Sequence, residues 1–392
     1  MTDHVVLVGA ARTPMGGLQG ELSSVKAPEL GGIAIKAALE RSGLKPEQID
    51  EVLMGCVLPA GLGQAPARQA SLNAGLPLAT GCTTVNKMCG SGMKAVMFAH
   101  DQILAGSANI MVAGGMENMS QSPYILPKVR EGLRMGHGKV LDHMFVDGLE
   151  DAYEGGLMGN FAQKTADKYE LTREAMDDFA LASLEKANAA INNGTFVDEI
   201  TPVTVKGRHG DTLIEVDEQP GNARPEKIRK LRPAFAKEGT VTAANSSSIS
   251  DGASAIILMK ESEAIAKGLK PLARIVAHST HAQLPAEFTI APISAIQKVL
   301  DKAQWSKDDV DLYEINEAFA VVTMLAQQKL ELDPAKVNIK GGACALGHPV
   351  GSSGSRILVT LMYSLQQENK KRGVASLCIG GGEAAAVAIE LI

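Results

Sequence analysis

A cysteine, a histidine and a second cysteine each stand in a glycine-rich turn beside a probable helix or strand end, where side chains with chemical work to do are commonly placed. The first is Cys89 in Val85-Asn86-Lys87-Met88-Cys89-Gly90-Ser91-Gly92-Met93-Lys94, between a probable strand and an amphipathic helix. A thiol at a helix N-terminus meets unpaired N–H groups and the positive end of the macrodipole, which favour thiolate and lower the pKa. Gly90 and Gly92 let the backbone turn tightly and leave room for a large substrate. The competing reading of Cys89 alone is a small, buried, inert residue. The histidine is His348 in Gly341-Gly-Ala-Cys344-Ala-Leu-Gly347-His348-Pro349-Val-Gly351, again ahead of a helix. A loop histidine titrating near neutrality is the usual base for a thiol; the competing reading is a solvent-facing loop residue. The second cysteine is Cys378 in Leu377-Cys378-Ile379-Gly380-Gly381-Gly382-Glu383, a strand end followed by glycines whose N–H groups could bind an oxyanion. Asn316 and Glu317, in Glu314-Ile-Asn316-Glu317-Ala318-Phe319, add an amide and a carboxylate at another strand end.

The elements that must hold these residues come in two copies. Ile35 to Asp50 matches Ile296 to Asp311 in the order of apolar, acidic and basic positions, at a constant offset of 261 residues. The register continues with Ser91-Gly92-Met93-Lys94 opposite Ser353-Gly354-Ser355-Arg356, and Gly114-Gly115-Met116-Glu117 resembles Gly381-Gly382-Glu383. Two long copies argue for two halves sharing one core, with their loops facing each other, and not for a solenoid. The first half opens on a buried strand at Val5–Gly9 and a helix over about 29–42. Residues 120–249 differ in character, with Pro123, Pro127, a helix predicted over about 156–193, and a basic stretch from Lys206 to Arg232; they read as an inserted loop domain. The apolar run inside Ser250–Lys260 predicts a strand returning to the first half's sheet. The expected division is therefore 1–119, 120–249, 250–270 and 271–392.

Composition narrows the function classes. A chain of 392 residues suggests two or three units. Hydrophobic residues at 45%, aromatics at 4% and 40 glycines point to close helix–sheet packing in an α/β protein. The formal net charge of -6 gives no footprint for nucleic acid or for an anionic membrane. The opening Met1-Thr2-Asp3-His4-Val5 is unlike a signal peptide, and no run of 18 apolar residues exists. Five dispersed cysteines without a Cys-x-x-Cys pair indicate neither a disulfide framework nor a zinc site, so a soluble protein of a reducing, cytoplasmic compartment is expected.

Taken in order, Val8-Gly-Ala-Ala-Arg12-Thr13-Pro14, Gly63-Gln-Ala-Pro-Ala-Arg68-Gln69, Asn86-Lys-Met-Cys89-Gly-Ser-Gly92, Ala113-Gly-Gly-Met-Glu117, Asn316-Glu-Ala-Phe319, Gly347-His348-Pro349 and Cys378-Ile-Gly-Gly-Gly382 closely resemble the thiolase family, in particular its acetyl-CoA C-acetyltransferases. The resemblance covers the whole chain. It implies duplicated βαβαβαββ halves in a five-layered αβαβα stack, with the insertion binding coenzyme A. It makes Cys89 the acyl carrier, His348 its activator and Cys378 the base that deprotonates the second acetyl-CoA. Asn316 would hold a water that forms one oxyanion site with His348, and the N–H groups of Cys89 and Gly380 would form the other. Coenzyme A and acetyl-CoA are then substrates, with no resident cofactor and no metal.

Carried over in the same way, Ser247 lies near the pantetheine, Leu231 and Phe235 belong to the segment meeting the adenine end, and Arg224 contributes positive charge. Ala318, Phe319, Leu157, Met158 and Phe288 border the acyl and pantetheine region. Many relatives have His-Met-Gly where this chain has Leu157-Met158-Gly159, and Lys340 stands where Asn is common. Phe288 in a Phe-containing loop predicts short acyl chains, while the less polar Leu157 predicts leakage to longer ones. Alternatives are a broad-range degradative 3-ketoacyl-CoA thiolase, a ketoacyl synthase (disfavoured because those enzymes have His in place of Cys378) and a non-catalytic lipid carrier on the same fold. The resemblance also implies a homodimer, or a homotetramer assembled through roughly 122–147. Cys56, Cys82 and Cys344 are read as packing residues.

Overall fold

The structure, a computed structural model, describes residues 3–208 and 210–392; Met1 and Thr2 of the opening stretch lie outside them. The first half runs β1 (Val5–Arg12), α1 (Ala27–Ser42), β2 (Glu51–Gly55), α2 (Pro66–Asn73), β3 (Gly81–Val85), α3 (Ser91–Ala105) and β4 (Ile110–Asn118). The chain then leaves the sheet for α4 (Met158–Lys168) and α5 (Arg173–Asn192), and returns as β5 (Ser250–Lys260). The second half follows with β6 (Ala273–Ala282), α6 (Ala291–Ala303), β7 (Leu312–Ile315), α7 (Ala320–Leu330), α8 (Ser353–Gln367), β8 (Arg372–Ile379) and β9 (Glu383–Leu391). Helices α3 and α8 have equal length and sit 262 residues apart, so the repeat legible in the sequence is a repeat in space.

Strand order is β7-β8-β9-β6-β1-β5-β4-β2-β3, and among the described residues the two half-sheets touch edge to edge where Val6 and Leu7 of β1 pair with Arg274 and Ala273 of β6. β5 lies antiparallel between β1 and β4. The buried strands read as near-continuous apolar runs because both faces are covered. Alternate residues of β1 divide between two cores: Val5 and Leu7 face inward to α3 and α8, while Val6 and Val8 face α1. In β9, Ala385, Val387 and Ile389 face the same central helices, and Ala384, Ala386 and Ala388 face α6. Three cores between five layers result, with α3 and α8 as the middle layer. Their N-termini approach closely at the matched glycines: a Cβ on Gly92 would lie 2.6 Å from Ser355 Oγ, and one on Gly354 would lie 2.4 Å from the Met93 nitrogen.

Several sequence expectations are corrected. The single helix over 156–193 is two helices, broken where Glu170 takes φ of 54° and Thr172 caps α5 through its hydroxyl. The third strand of the second half contracts to a one-residue bridge, Tyr313–Val337. Gly114 and Gly115 lie inside β4, whereas Gly380, Gly381 and Gly382 form the turn between β8 and β9, so those two glycine runs are not equivalent positions. Among the described residues no helix is long and apolar enough to cross a membrane.

Candidate active site

Cys89 lies in the five-residue connection between β3 and α3, just ahead of the N-cap Gly90. Met88 before it has φ of 48°, a left-handed conformation that costs a non-glycine residue roughly 1 to 3 kcal/mol and is held only by its surroundings. The hold is visible. Asn86 Oδ1 accepts from the Met88 N–H at 3.0 Å, and Ser91 Oγ accepts from the Lys87 N–H at 2.9 Å while donating to the Met88 carbonyl at 2.6 Å. Lys87 Nζ also pairs with Glu383 Oε2 at 2.5 Å, which ties this loop to the turn after Cys378.

The second half brings its residues to the same place. The Gly380 N–H favours the Cys89 thiolate, and Cys378 is close enough to Cys89 for a charge on Cys89 to oppose its ionisation. A Cβ on Gly90 would stand 2.4 Å from Ile379 Cδ1, so the two loops meet with no space for a side chain there. His348 is buried, its N–H donating to Ser250 Oγ at 3.1 Å and Ser248 O at 3.2 Å. Its Nδ1 lies 2.5 Å from Ser353 Oγ. The Ser353 hydroxyl gives its proton to the Pro349 carbonyl at 2.9 Å, so it receives one from His348 Nδ1. That leaves Nε2 as the lone-pair nitrogen, and Nε2 has no partner among the described residues. Asn316 is 1% exposed, and neither its amide oxygen nor its amide nitrogen has a partner among the described residues. Buried polar groups left over in this way mark a place built for something else to bind.

The protonation states differ from the sequence expectation. Burial pushes the Cys89 thiol up to about 11, although the Gly380 N–H and its own N–H pull the other way. The helix N-terminus therefore does not make a resting thiolate: desolvation of the charge outweighs it. His348, expected near neutrality, is pushed down to about 3 by burial and by the nearby Arg356 charge. Burial also holds Cys378 well above the usual thiol range, with Cys89 adding to it. The resting arrangement is two thiols and a neutral imidazole.

Around Cys378 lies an apolar wall. Phe288, Phe319, Ala318 and Phe161 share its cluster, with Met158 and Phe235 packed against it. Phe319 takes both Phe288 and Phe235 edge to face at 6.3 Å. Met158 Sδ would be 3.4 Å from a Cβ on Gly380, and Leu157 is the half-buried residue that starts α4. Ser247 donates its N–H to Ala318 O at 3.0 Å, which places it beside the Asn316 segment. Arg224 and Leu231 line a separate cavity of about 340 Å³ together with Ala243, Ser248 and Cys344. Cys344, read as packing alone, thus borders the cavity as well as holding Glu317 O at 3.6 Å. Lys340 donates to Thr195 O at 3.0 Å and lies 3.6 Å from Glu199, so it anchors the strand-to-loop passage ahead of His348 to the insertion.

Sequence reasoning missed two supports. Ser353, which sets the His348 tautomer, is the repeat partner of Ser91, which braces the Cys89 turn, and the repeat itself was the available signal. Glu117, seen only as part of a motif, accepts from the N–H groups of Val57, Leu58 and Gly351 at 2.8, 3.1 and 3.0 Å, and so fixes the loop after His348. Burial outweighs those donors and pushes its carboxyl up to about 7.

With this geometry, two family profiles fit the chain in tandem: "Thiolase, N-terminal domain" over residues 5–262 and "Thiolase, C-terminal domain" over residues 269–391. The chain belongs to the thiolase family. It is 50% identical to the acetyl-CoA acetyltransferase of Cupriavidus necator over all of both chains. It is likewise 50% identical to acetyl-CoA acetyltransferase 2 of Arabidopsis thaliana, across 99% of this chain and 97% of that one. Among solved structures, the acetyl-CoA acetyltransferase from Syntrophomonas wolfei superposes with a TM-score of 0.97 at 42% identity, covering 100% of each chain. The thiolase fold inferred from the sequence, with its paired α/β halves, is thus the fold of the chain.

Proposed function

We propose that this thiolase catalyses the reversible condensation of two acetyl-CoA molecules to acetoacetyl-CoA and coenzyme A. The observation that carries the reading is the meeting of two thiol-bearing loops from the two halves, Gly90 beside Cys89 against Ile379 beside Cys378. A thioester carrier needs one sulfur, and forming a carbon–carbon bond next to it needs a separate base. Cys89 Sγ attacks the thioester carbonyl and gives its proton to His348 Nε2. The departing coenzyme A thiolate takes a proton from Cys378, which becomes the thiolate that removes an α-proton from the second acetyl-CoA. The resulting enolate attacks the acetyl carbon on Cys89, and the leaving sulfur recovers its proton from His348. The N–H groups of Cys89 and Gly380 stabilise one oxyanion, and His348 Nε2 with a water on Asn316 stabilises the other.

Names of relatives 50% identical over the full length support acetyl-CoA as the acyl donor. Ser247, Leu231, Phe235 and Arg224 are proposed coenzyme A contacts, and residues 120–249 the unit that supplies most of them. A broader 3-ketoacyl range is the second reading, favoured only by the apolar Leu157 at the start of α4. Assembly as a dimer or tetramer is supported by the exposed Tyr124, Met135 and Val140 within the proposed contact stretch. Five free cysteines support a cytoplasmic setting. The deciding experiment is Cys378→Ala: acetyl exchange onto Cys89 should slow but persist, since a coenzyme A thiolate can leave without being protonated, while acetoacetyl-CoA formation stops. Equal loss of both would remove Cys378 from the role of a separate base.

A further inference from the structure

Away from the thiols, three side chains from the two halves converge on one point. His100 and Asp101 come from the last turns of α3, and His278 comes from β6. His278 Nε2 lies 2.9 Å from Asp101 Oδ1 and 3.2 Å from His100 Nδ1, and His100 Nδ1 lies 3.1 Å from the same Asp101 oxygen. No placement of protons satisfies all three edges of this triangle while the carboxylate is ionised. If both imidazole nitrogens donate to Asp101, two N–H groups face each other across 3.2 Å. If either nitrogen is left as a lone pair to accept from the other, that lone pair faces the carboxylate oxygen. A hydrogen-bond network would not choose this arrangement, but three electron-pair donors around a cation would.

We propose that His100 Nδ1, Asp101 Oδ1 and His278 Nε2 form a binding site for a divalent transition metal, Zn²⁺ in the first instance, at the seam between the halves. Imidazole and carboxylate donors suit late first-row ions. Bonds of about 2.0 to 2.2 Å at tetrahedral angles place ligand atoms roughly 3.4 Å apart, so the triangle opens by a few tenths of an ångström on binding. Side-chain exposures of 14% for His100 and 17% for His278 against 55% for Asp101 leave one side open, where water supplies the fourth ligand. Opposing the ion are Lys302, whose Nζ donates to His278 O at 2.9 Å, and Lys94, which lies within Coulombic reach of Asp101. Their repulsion weakens the site without blocking it, since neither ammonium is hydrogen-bonded to a ligand atom. The bound ion would tie α3, the helix that begins behind Cys89, to the second half's sheet.

The test is equilibrium dialysis of the intact chain against Zn²⁺ after the partly exposed thiols of Cys82, Cys89 and Cys344 are blocked with iodoacetamide, so that they do not compete. One equivalent per chain should bind in the wild type and raise Tm in proportion to the logarithm of free Zn²⁺. His100→Gln and His278→Gln should each weaken binding by more than roughly 100-fold, beyond what changes to outer partners of a metal site produce. Both positions are partly exposed, and circular dichroism serves to check that each variant is folded. Co²⁺ substitution should give visible d–d bands of a nitrogen and oxygen site. No retained Zn²⁺, equal retention in both variants, or a sulfur-to-cobalt charge-transfer band each overturns the proposal.

Discussion

Ser353→Ala tests how the proposed base is set. The hydroxyl is the acceptor that keeps the proton of His348 on Nδ1, and removing it leaves that N–H buried with no partner, a penalty of about 1 to 3 kcal/mol. The alternative tautomer, with the proton on Nε2, points its N–H into the proposed oxyanion site, where water or substrate can accept it, and so becomes the favoured one. In that tautomer Nε2 cannot take a proton from Cys89. At about 1.4 kcal/mol per tenfold, the competent population falls by roughly 5- to 150-fold, and acylation should slow by that factor. Binding should change little, because Ser353 is fully buried beneath the histidine. The assay is single-turnover transfer of labelled acetyl from acetyl-CoA to Cys89 under saturating substrate, with KM and Tm measured in parallel. Ser353→Thr, which keeps the hydroxyl, should recover most of the rate where it folds. An acylation rate within a factor of two of wild type in a folded Ser353→Ala protein would refute the tautomer argument.

Three other perturbations follow from the geometry. Cys89 should react with iodoacetamide in the free protein at a rate that climbs about tenfold per pH unit toward its pKa near 11, since burial leaves only a small thiolate fraction at neutrality; a plateau by pH 8 would mean that the helix N-terminus outweighs desolvation after all. The same raised pKa makes Cys89 favour the folded state below the ordinary thiol pKa and lose that contribution as pH rises toward 11, so Cys89→Ala should flatten the alkaline decline in Tm. Phe288→Leu, which opens the wall beside Cys378, should raise kcat/KM for 3-ketohexanoyl-CoA relative to acetoacetyl-CoA by roughly 10- to 200-fold, with an unchanged ratio showing that Phe288 does not border the acyl chain. Gly92→Ala, whose methyl would meet Ser355 Oγ at 2.6 Å and Gly351 O at 3.0 Å, should cost about 1 to 3 kcal/mol in urea unfolding; a neutral result would mean that α3 and α8 separate easily.

Local sequence alone was enough for a good part of this molecule. The repeat placed α3 and α8, the apolar run of Ser250–Lys260 gave a strand to its terminal residues, and the turns around Cys89, His348 and Cys378 could be recognised because glycine and proline act on the backbone within a few residues. The break between α4 and α5 was harder, because Lys168 to Thr172 contains no glycine or proline and the interruption depends on a capping hydroxyl and one left-handed residue. Matching Gly381 with Gly114 failed for a related reason: the same residue type serves a buried strand in one half and a turn in the other, and only strand pairing tells them apart. Protonation was beyond the sequence altogether. Cys89 is raised, His348 lowered and Nδ1 chosen over Nε2 by desolvation and by partners such as Arg356, Ser353 and Gly380, which lie 5 to 291 residues away in the chain. Helix-terminus and motif arguments describe the charge a side chain would feel from its own segment. The tertiary structure decides how much water is left to share that charge, and in a site buried between two halves the loss of water is the larger effect.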